Sequence, residues 1–297
     1  MKKVRGMVID WKEPIRQDIV SKNDLSRLEN LSLAVVGHVE WVNYLSVDKL
    51  PSCGQISHGK SYLKLPSGGG AVSAIQMQKL TNKQVHFFTS LGKDHLGKLS
   101  KKILEEYGLK VHVAWRDRPT REGISFLDKS GERSITVIGK RLEPKAKDNL
   151  PWDEIASFDG VFVSATDAMG LKLCRNSKIL VATPRVGKDT FSSINFKLDA
   201  LVGSYFDKEE RMISDYLTDT SKLKILTAGK LGSVALPGGT FATKDIGRDL
   251  VDSYGCGDSF AAGVTAGLAC NLDIKKAINI GSYCGYKCAM HKGPYGH

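Results

Sequence analysis

One aspartate stands where a carboxylate is ordinarily unwelcome. Asp258 closes the run Gly255-Cys256-Gly257-Asp258, after which Ser259, Phe260, Ala261 and Ala262 continue as a helix-compatible start. Two glycines at that spacing permit a tight turn whose backbone approaches a ligand closely. A turn that runs into a helix start offers free N–H groups and the positive end of the helix dipole, a combination that suits a phosphate. A carboxylate beside such an anion site is unfavourable unless it has a chemical task, such as taking a proton from an attacking hydroxyl. The stretch therefore reads as a phosphoryl-transfer site. Gly-x-Gly-Asp is also short enough to be an ordinary turn before a helix that Asp258 caps, so the rest of the chain has to decide.

The elements that must position this turn follow from the apolar pattern. With 297 residues, 41% hydrophobic and 25% charged, the chain is long enough for one large α/β domain or two ordinary ones. Residues 1–30 are mixed and polar and read as an N-terminal extension. LSLAVVG, ending at Gly37, reads as a buried parallel strand. His38, Glu40, Trp41 and Asn43 follow it, at the strand end where open α/β sheets bind ligands. An ordinary loop with a half-buried tryptophan fits those four residues equally well. Gly68, Gly69 and Gly70 lead into a helix carrying Ala71, Ala74, Ile75, Met77 and Leu80, and Asp94 is placed to cap the next one. GISFLDKSGERSITVI predicts a hairpin turning at Asp128–Gly131. From Asp159 onward strands and helices alternate, which predicts an α/β fold with a doubly wound, mainly parallel sheet. Short antiparallel pieces at 46–66 and 111–138 are expected to form a small β lid over its C-terminal edge, all within one domain over 31–297.

Taken together and in order, the glycine motifs resemble those of the PfkB, or ribokinase-like, carbohydrate kinases over residues 31–296. DSYGCGDSFAAG is similar to the family's D-T-x-G-A-G-D-x-F-x-A-G, with Asp252, Gly255, Gly257, Asp258, Phe260, Ala262 and Gly263 in place. Gly68-Gly69 resembles the sugar-contacting di-glycine, and Gly92-Lys93-Asp94-His95-Leu96-Gly97 the G-x-D-x-x-G segment. Thr227, Gly229, Gly232 and Ser233 resemble the T-x-G-x-x-G-S nucleotide segment, with Ser282 and Gly293 at adenine-side positions. The resemblance implies a Rossmann-like core and ATP-dependent phosphorylation of a hydroxyl on a sugar or sugar-like molecule. It makes Asp258 the base, the amides of Gly255, Cys256, Gly257 and Asp258 the anion hole, and Mg²⁺ the bridge between phosphates. Lids in this family often pair, so a homodimer through the lid is also implied. Small residues at Ala261, Ala262, Gly263, Ala266 and Gly267 are expected to pack the helix closely on the sheet and fix the turn.

The sugar end departs from the family. Its hydroxyl-reading aspartate falls on Val42, leaving the neighbouring Glu40 and Asn43 as candidates, and Ser73 stands for an asparagine. The N-x-x-E that organises magnesium becomes Ser204-Tyr205-Phe206-Asp207, so Asp207 is the metal-side candidate. Pro119-Thr120-Arg121 is similar to a Thr-Arg in members that act on phosphosugars. Arg121 and Arg185 are thus candidates to hold a substrate phosphate, or solvent-exposed arginines. Alternatives to a plain sugar kinase are a phosphosugar or nucleoside kinase, or a weakly catalytic nucleotide-binding regulatory protein.

The bulk properties narrow the partners. The net charge of +11 attracts anions, but the lysines are spread along the chain without arginine–aromatic interleaving, so no nucleic-acid partner is expected. Six cysteines without a paired framework read as reduced thiols, with Cys284 and Cys288 as core packing, and place the protein in the cytoplasm. No apolar run is long enough to cross a bilayer, and the basic start lacks an apolar core. The seven histidines are scattered, so no metal cluster is expected from them.

Overall fold

Short, continuously apolar strands buried on both faces, such as LAVV at 33–36 and GVFV at 160–163, build the centre of the molecule. In the computed structural model, residues 3–4, 7–9, 11–50, 52–129, 133–217, 219–243 and 250–296 are described. The chain opens with β1 (Lys3–Val4), β2 (Met7–Val8) and α1 (Lys22–Ser26), then β3 (Leu33–Val36), β4 (Glu40–Ser46), β5 (Ser61–Ser67) and α2 (Gly69–Gln78). Next come β6 (His86–Gly92), α3 (His95–Glu106), β7 (Lys110–Arg116), β8 (Glu122–Leu127) and β9 (Arg133–Ile138). A 3-10 helix at Trp152–Ser157 precedes β10 (Gly160–Val163), α4 (Ala168–Cys174), β11 (Ile179–Ala182), α5 (Lys188–Ser192), β12 (Leu198–Ser204) and α6 (Lys208–Tyr216). The chain ends with β13 (Ser221–Thr227), β14 (Ser233–Leu236), β15 (Gly239–Phe241), α7 (Cys256–Ala269) and α8 (Ile274–Ala289).

One sheet has the order β15-β14-β13-β12-β11-β10-β3-β6-β7, parallel from β13 to β7, with β14 and β15 antiparallel at one edge. Period-two alternation sorts its side chains onto two layers. Leu33, Val35, Phe162 and Val181 pack with residues of α2, α7 and α8, whereas Ala34, Val36, Val161 and Val163 pack with Ile155, Leu171 and Phe191. The segment before residue 31 joins this body, with Leu28 buried and Ile15 bridged to Phe241.

A second sheet, β5-β4-β8-β9, stands apart; β4–β5 and β8–β9 are antiparallel, and a parallel β4–β8 pair joins them. The expected lid segments shift against this observation. Lys110–Arg116 is not lid but the parallel edge strand of the main sheet, paired with β6. Its half-buried alternation, the mark of an edge strand, imitates a hairpin strand. Lid strand β4 begins at Glu40 rather than near 46. The predicted hairpin is β8–β9, and its turn residues Ser130 and Gly131 lie outside the described residues.

The small residues of α7 serve a neighbour other than the one expected. A Cβ on Gly263 would lie 2.8 Å from Gly281 Cα of α8, and one on Gly267 would lie 2.8 Å from Ala277 Cα. The glycines therefore let two helices touch, while the approach to the sheet runs through Gly160, where an added Cβ would sit 2.9 Å from that of Ala269. Gly263→Ala is expected to lower stability by about 1–3 kcal/mol through overpacking, read as an earlier urea midpoint. An unchanged midpoint would show that α8 can shift freely.

Candidate active site

Sheet order places the site. The chain runs β3→β6→β7 outward in one direction, then returns to β10 beside β3 and proceeds β11→β12→β13 in the other. The crevice outside the C-terminal ends of β3 and β10 is therefore the topological switch point, the usual ligand position of an open α/β sheet. Gly37 and Gly70 are glycine because nothing larger fits there. A Cβ on Gly37 would fall 2.1 Å from Ser164 Oγ, and one on Gly70 would fall 2.7 Å from His38 O.

Over this crevice lies a cavity of about 460 Å³, lined among others by His38, Glu40, Gly68, Gly69, Tyr254, Gly255 and Asp258. Gly255 begins α7 in a left-handed conformation (φ 78°), and no side chain caps the helix. Cys256 N–H donates to Ser253 O at 3.5 Å, which leaves the N–H groups of Gly257 and Asp258 for a ligand, and a Cβ on Gly257 would meet nothing within 4 Å. This open, uncapped helix start fits the phosphates of a nucleotide. Burial raises the Asp258 carboxyl above its ordinary value, and the positive charges of Arg185 and Arg133 oppose that shift. Gly69 explains the second glycine of the pair, because its Cβ would sit 2.9 Å from Asp258 Oδ1. Gly69→Ala is expected to lower turnover by at least about tenfold with an unchanged melting temperature, since the clash falls on the Asp258 carboxylate, the candidate base. Wild-type turnover in that variant would separate Asp258 from the chemistry.

The ionisable groups beside Asp258 form a chain from Arg121 through Glu40 to His38. Arg121 Nη1 lies 3.1 Å from Glu40 Oε1, which in turn is 3.6 Å from His38 Nε2. Burial raises the Glu40 carboxyl, with Arg121 pulling against it, and burial pushes the His38 imidazole well down, so His38 is neutral. Asp94 caps α3 through Gly97 N–H at 2.8 Å and also accepts from Thr120 N–H and Oγ1, which fixes the backbone just before Arg121. On the other wall Arg185 Nε donates to Glu210 Oε1, and Glu210 Oε2 accepts from Ser204 N–H at 2.8 Å. Asp207 caps α6 by accepting from Glu210 N–H at 3.0 Å, and its carboxylate faces the cavity 3.9 Å from Arg185.

The structure thus brings Glu40, Gly68, Gly69, Arg121, Arg185, Asp207, Gly255 and Asp258 to one cavity. Two substrate candidates go elsewhere. Asn43 lies three residues from Glu40, on the opposite face of β4, where Oδ1 accepts from Tyr62 and Nδ2 donates to Gly123 O. Ser73 is fully buried and donates to the Asp258 carbonyl at 3.0 Å, tying α2 to α7 beneath the carboxylate. Cys256 turns its Sγ toward Asp252 O at 3.7 Å.

The nucleotide candidates form a separate group. Thr227 ends β13 and donates to Gly203 O at 3.2 Å. Gly229 and Gly232 turn the chain into β14, where the buried Ser233 hydroxyl has no partner among the described residues. Ser282 is half-buried on α8, and Gly293 N–H donates to Asp252 Oδ2 at 2.9 Å. Sequence reasoning missed Arg133, Arg141, Glu209, Glu210 and Tyr254 as cavity groups. For Tyr254 a signal existed, its place one residue before Gly255.

Comparison with known proteins agrees with this architecture. The solved structure of Arabidopsis thaliana ribokinase complexed with ribose and ATP superposes with a TM-score of 0.64, at 18% identity, over 89% of this chain and 94% of that one. The fold is the mixed α/β fold of the ribokinase-like structures, a large mainly parallel sheet with a smaller antiparallel one. Among curated proteins, the ribokinase of Lactococcus lactis is 23% identical over 263 residues, covering 84% of this chain and 87% of that protein. The ATP-dependent ribose-1-phosphate kinase of Halopiger xanaduensis is 23% identical over 275 residues, 86% of this chain and 91% of that protein. The pattern of the pfkB family carbohydrate kinases matches residues 30–183 and 196–296, and the chain belongs to that family of sugar kinases.

Proposed function

We propose that the chain moves the γ-phosphoryl group of ATP to a hydroxyl of a sugar or sugar-like molecule, with Asp258 as the base. The carrying observation is the Asp258 carboxyl in the first turn of the uncapped helix α7, open to the cavity. Glu40 orients the acceptor hydroxyls, Asp258 takes the proton of the one that attacks, and the amides of Gly255–Asp258 receive the charge spreading over the phosphoryl group. ATP lies along Thr227, Gly229, Gly232, Ser233, Ser282 and Gly293. Asp207, with Glu209 beside it in the cavity, supplies oxygen ligands of the kind Mg²⁺ takes, and Mg²⁺ would neutralise phosphate charge there. Residues 31–297 are the kinase domain, in keeping with a family match that begins at residue 30.

A specific observation favours a phosphorylated sugar. Arg121, Arg133, Arg141 and Arg185 all line the cavity, and the buried Arg121 Nε has no partner among the described residues. Guanidinium forks match phosphate oxygens. Two of the curated relatives are, by name, a ribose-1-phosphate kinase and a 6-phosphofructokinase. An ATP-consumption screen over neutral sugars, phosphosugars and nucleosides tests both readings, with Asp258→Asn as control. A phosphosugar is expected to give the largest rise over the no-acceptor rate, and no rise with any acceptor would end the kinase reading in favour of a regulatory nucleotide binder. A homodimer through the lid is supported by β9, an edge strand of the lid sheet that leaves Ile138 exposed; light scattering showing a monomer at micromolar concentration would count against it. The absence of a nucleic-acid partner predicts no salt-sensitive retention on DNA or RNA.

A further inference from the structure

His86 and His112 are 26 residues apart in sequence, and parallel pairing of β6 with β7 brings them together. Phe88 of β6 is directly opposite His112 and shares its sheet face with His86, so both imidazoles project from that face at the outer edge of the sheet. Glu154, on the 3-10 helix before β10, reaches the same point. His112 Nε2 is 3.3 Å from His86 Nδ1, which is 2.9 Å from Glu154 Oε2, and all three atoms lie within 4.8 Å of one another. Contacts with Phe88 (4.6 Å to the His112 ring) and Phe158 (4.9 Å to the His86 ring) fix the two imidazoles. One proton on His86 Nδ1 can serve the carboxylate or the second imidazole; a cation among the three atoms satisfies both at once.

We propose that His86, His112 and Glu154 form a divalent transition-metal site, for which Zn²⁺ is the best fit. Two imidazole nitrogens and one carboxylate oxygen are a ligand set Zn²⁺ accepts, at about 2.0–2.2 Å each, with a fourth position left for water. The site is half-buried, with the His86 side chain 17% and the Glu154 side chain 36% exposed, so an ion can enter from solvent. Lys110 Nζ stands 3.6 Å from the same Glu154 oxygen and competes for it, which favours moderate affinity. His86 begins β6, whereas the cavity with Asp258 lies beyond the opposite, C-terminal strand ends. The ion therefore ties the sheet edge to the segment leading into β10 and takes no part in phosphoryl transfer.

Titration of the chelator-treated full chain with ZnCl₂ by calorimetry tests this, with Co²⁺ as a spectroscopic probe. One Zn²⁺ per chain is expected, together with a raised melting temperature and the visible absorption of low-symmetry, four- or five-coordinate Co²⁺. His112→Gln is expected to weaken binding at least about 100-fold, more than the loss of an outer-shell partner costs, with metal-free ATP turnover unchanged. Glu154→Gln, on a more exposed side chain, carries the same test if His112→Gln does not fold. No saturable binding by the wild-type chain, or unchanged Zn²⁺ affinity in these variants because the ion sits on cysteines elsewhere, would overturn the site.

Discussion

Asp258→Asn is expected to lower turnover by about 10²–10⁴-fold while the chain folds normally, the usual weight of a positioned general base. The side chain is isosteric, so the turn at Gly255 and the first turn of α7 keep their shape. The same substitution is expected to raise stability at neutral pH. Burial raises the folded-state carboxyl above its unfolded value, so folding favours the protonated form. Stability is then highest below the unfolded value and falls as pH rises through the folded one, because the native state must hold a buried charge. Asparagine carries no such charge, and its urea midpoint should exceed that of wild type at pH 7, with the gap closing toward the ordinary aspartate range near pH 4. A turnover within twofold of wild type would remove Asp258 as the base. Lost turnover with a lowered midpoint would instead mean that the carboxylate holds the turn together.

How much of this was readable in advance depended on the length scale of each signal. The turn at Gly255–Asp258, the glycines at 68–70 and the apolar strand before Gly37 are local, and steric demands fix them within a few residues. Cavity arginines are different. Arg133 and Arg141 enter from β9 and the segment after it only because β8 pairs with β4 and swings them over the crevice. No spacing in the sequence encodes that. Asn43 is an intermediate case: once residues 40–46 are known to be a strand, period-two geometry places Glu40 and Asn43 on opposite faces. The polar content of EWVNYLS hid the strand, because a lid strand that lines a site does not carry a clean apolar alternation. His86 and His112 escaped for the same reason as the arginines, since parallel pairing of β6 with the edge strand β7 has no signature in spacing.

Arg185→Met is expected to cut kcat/KM for a phosphosugar by about 10–100-fold, the effect of losing one charge-assisted hydrogen bond of roughly 1.5–3 kcal/mol. It is also expected to move the acid limb of the turnover profile to higher pH. Burial raises Asp258, and Arg185 is the first charge that opposes it, so removing the cation lets Asp258 protonate at a higher pH. The proposed base works only when ionised, and activity at mildly acidic pH is lost first. Arg185 is 47% exposed toward the cavity, so its ion pair with Glu210 is partly screened and the loss falls more on function than on folding. Arg121→Met separates the two effects. Arg121 pairs with Glu40 and is not among the charges that shift Asp258, so it should weaken phosphosugar binding and leave the acid limb in place. Arg185→Lys keeps the charge and loses the fork, and should hold the limb while recovering only part of kcat/KM. If Arg185→Met changes neither quantity, the residue merely anchors α6 through Glu210, and the proposed acceptor phosphate would fall to Arg121, Arg133 or Arg141.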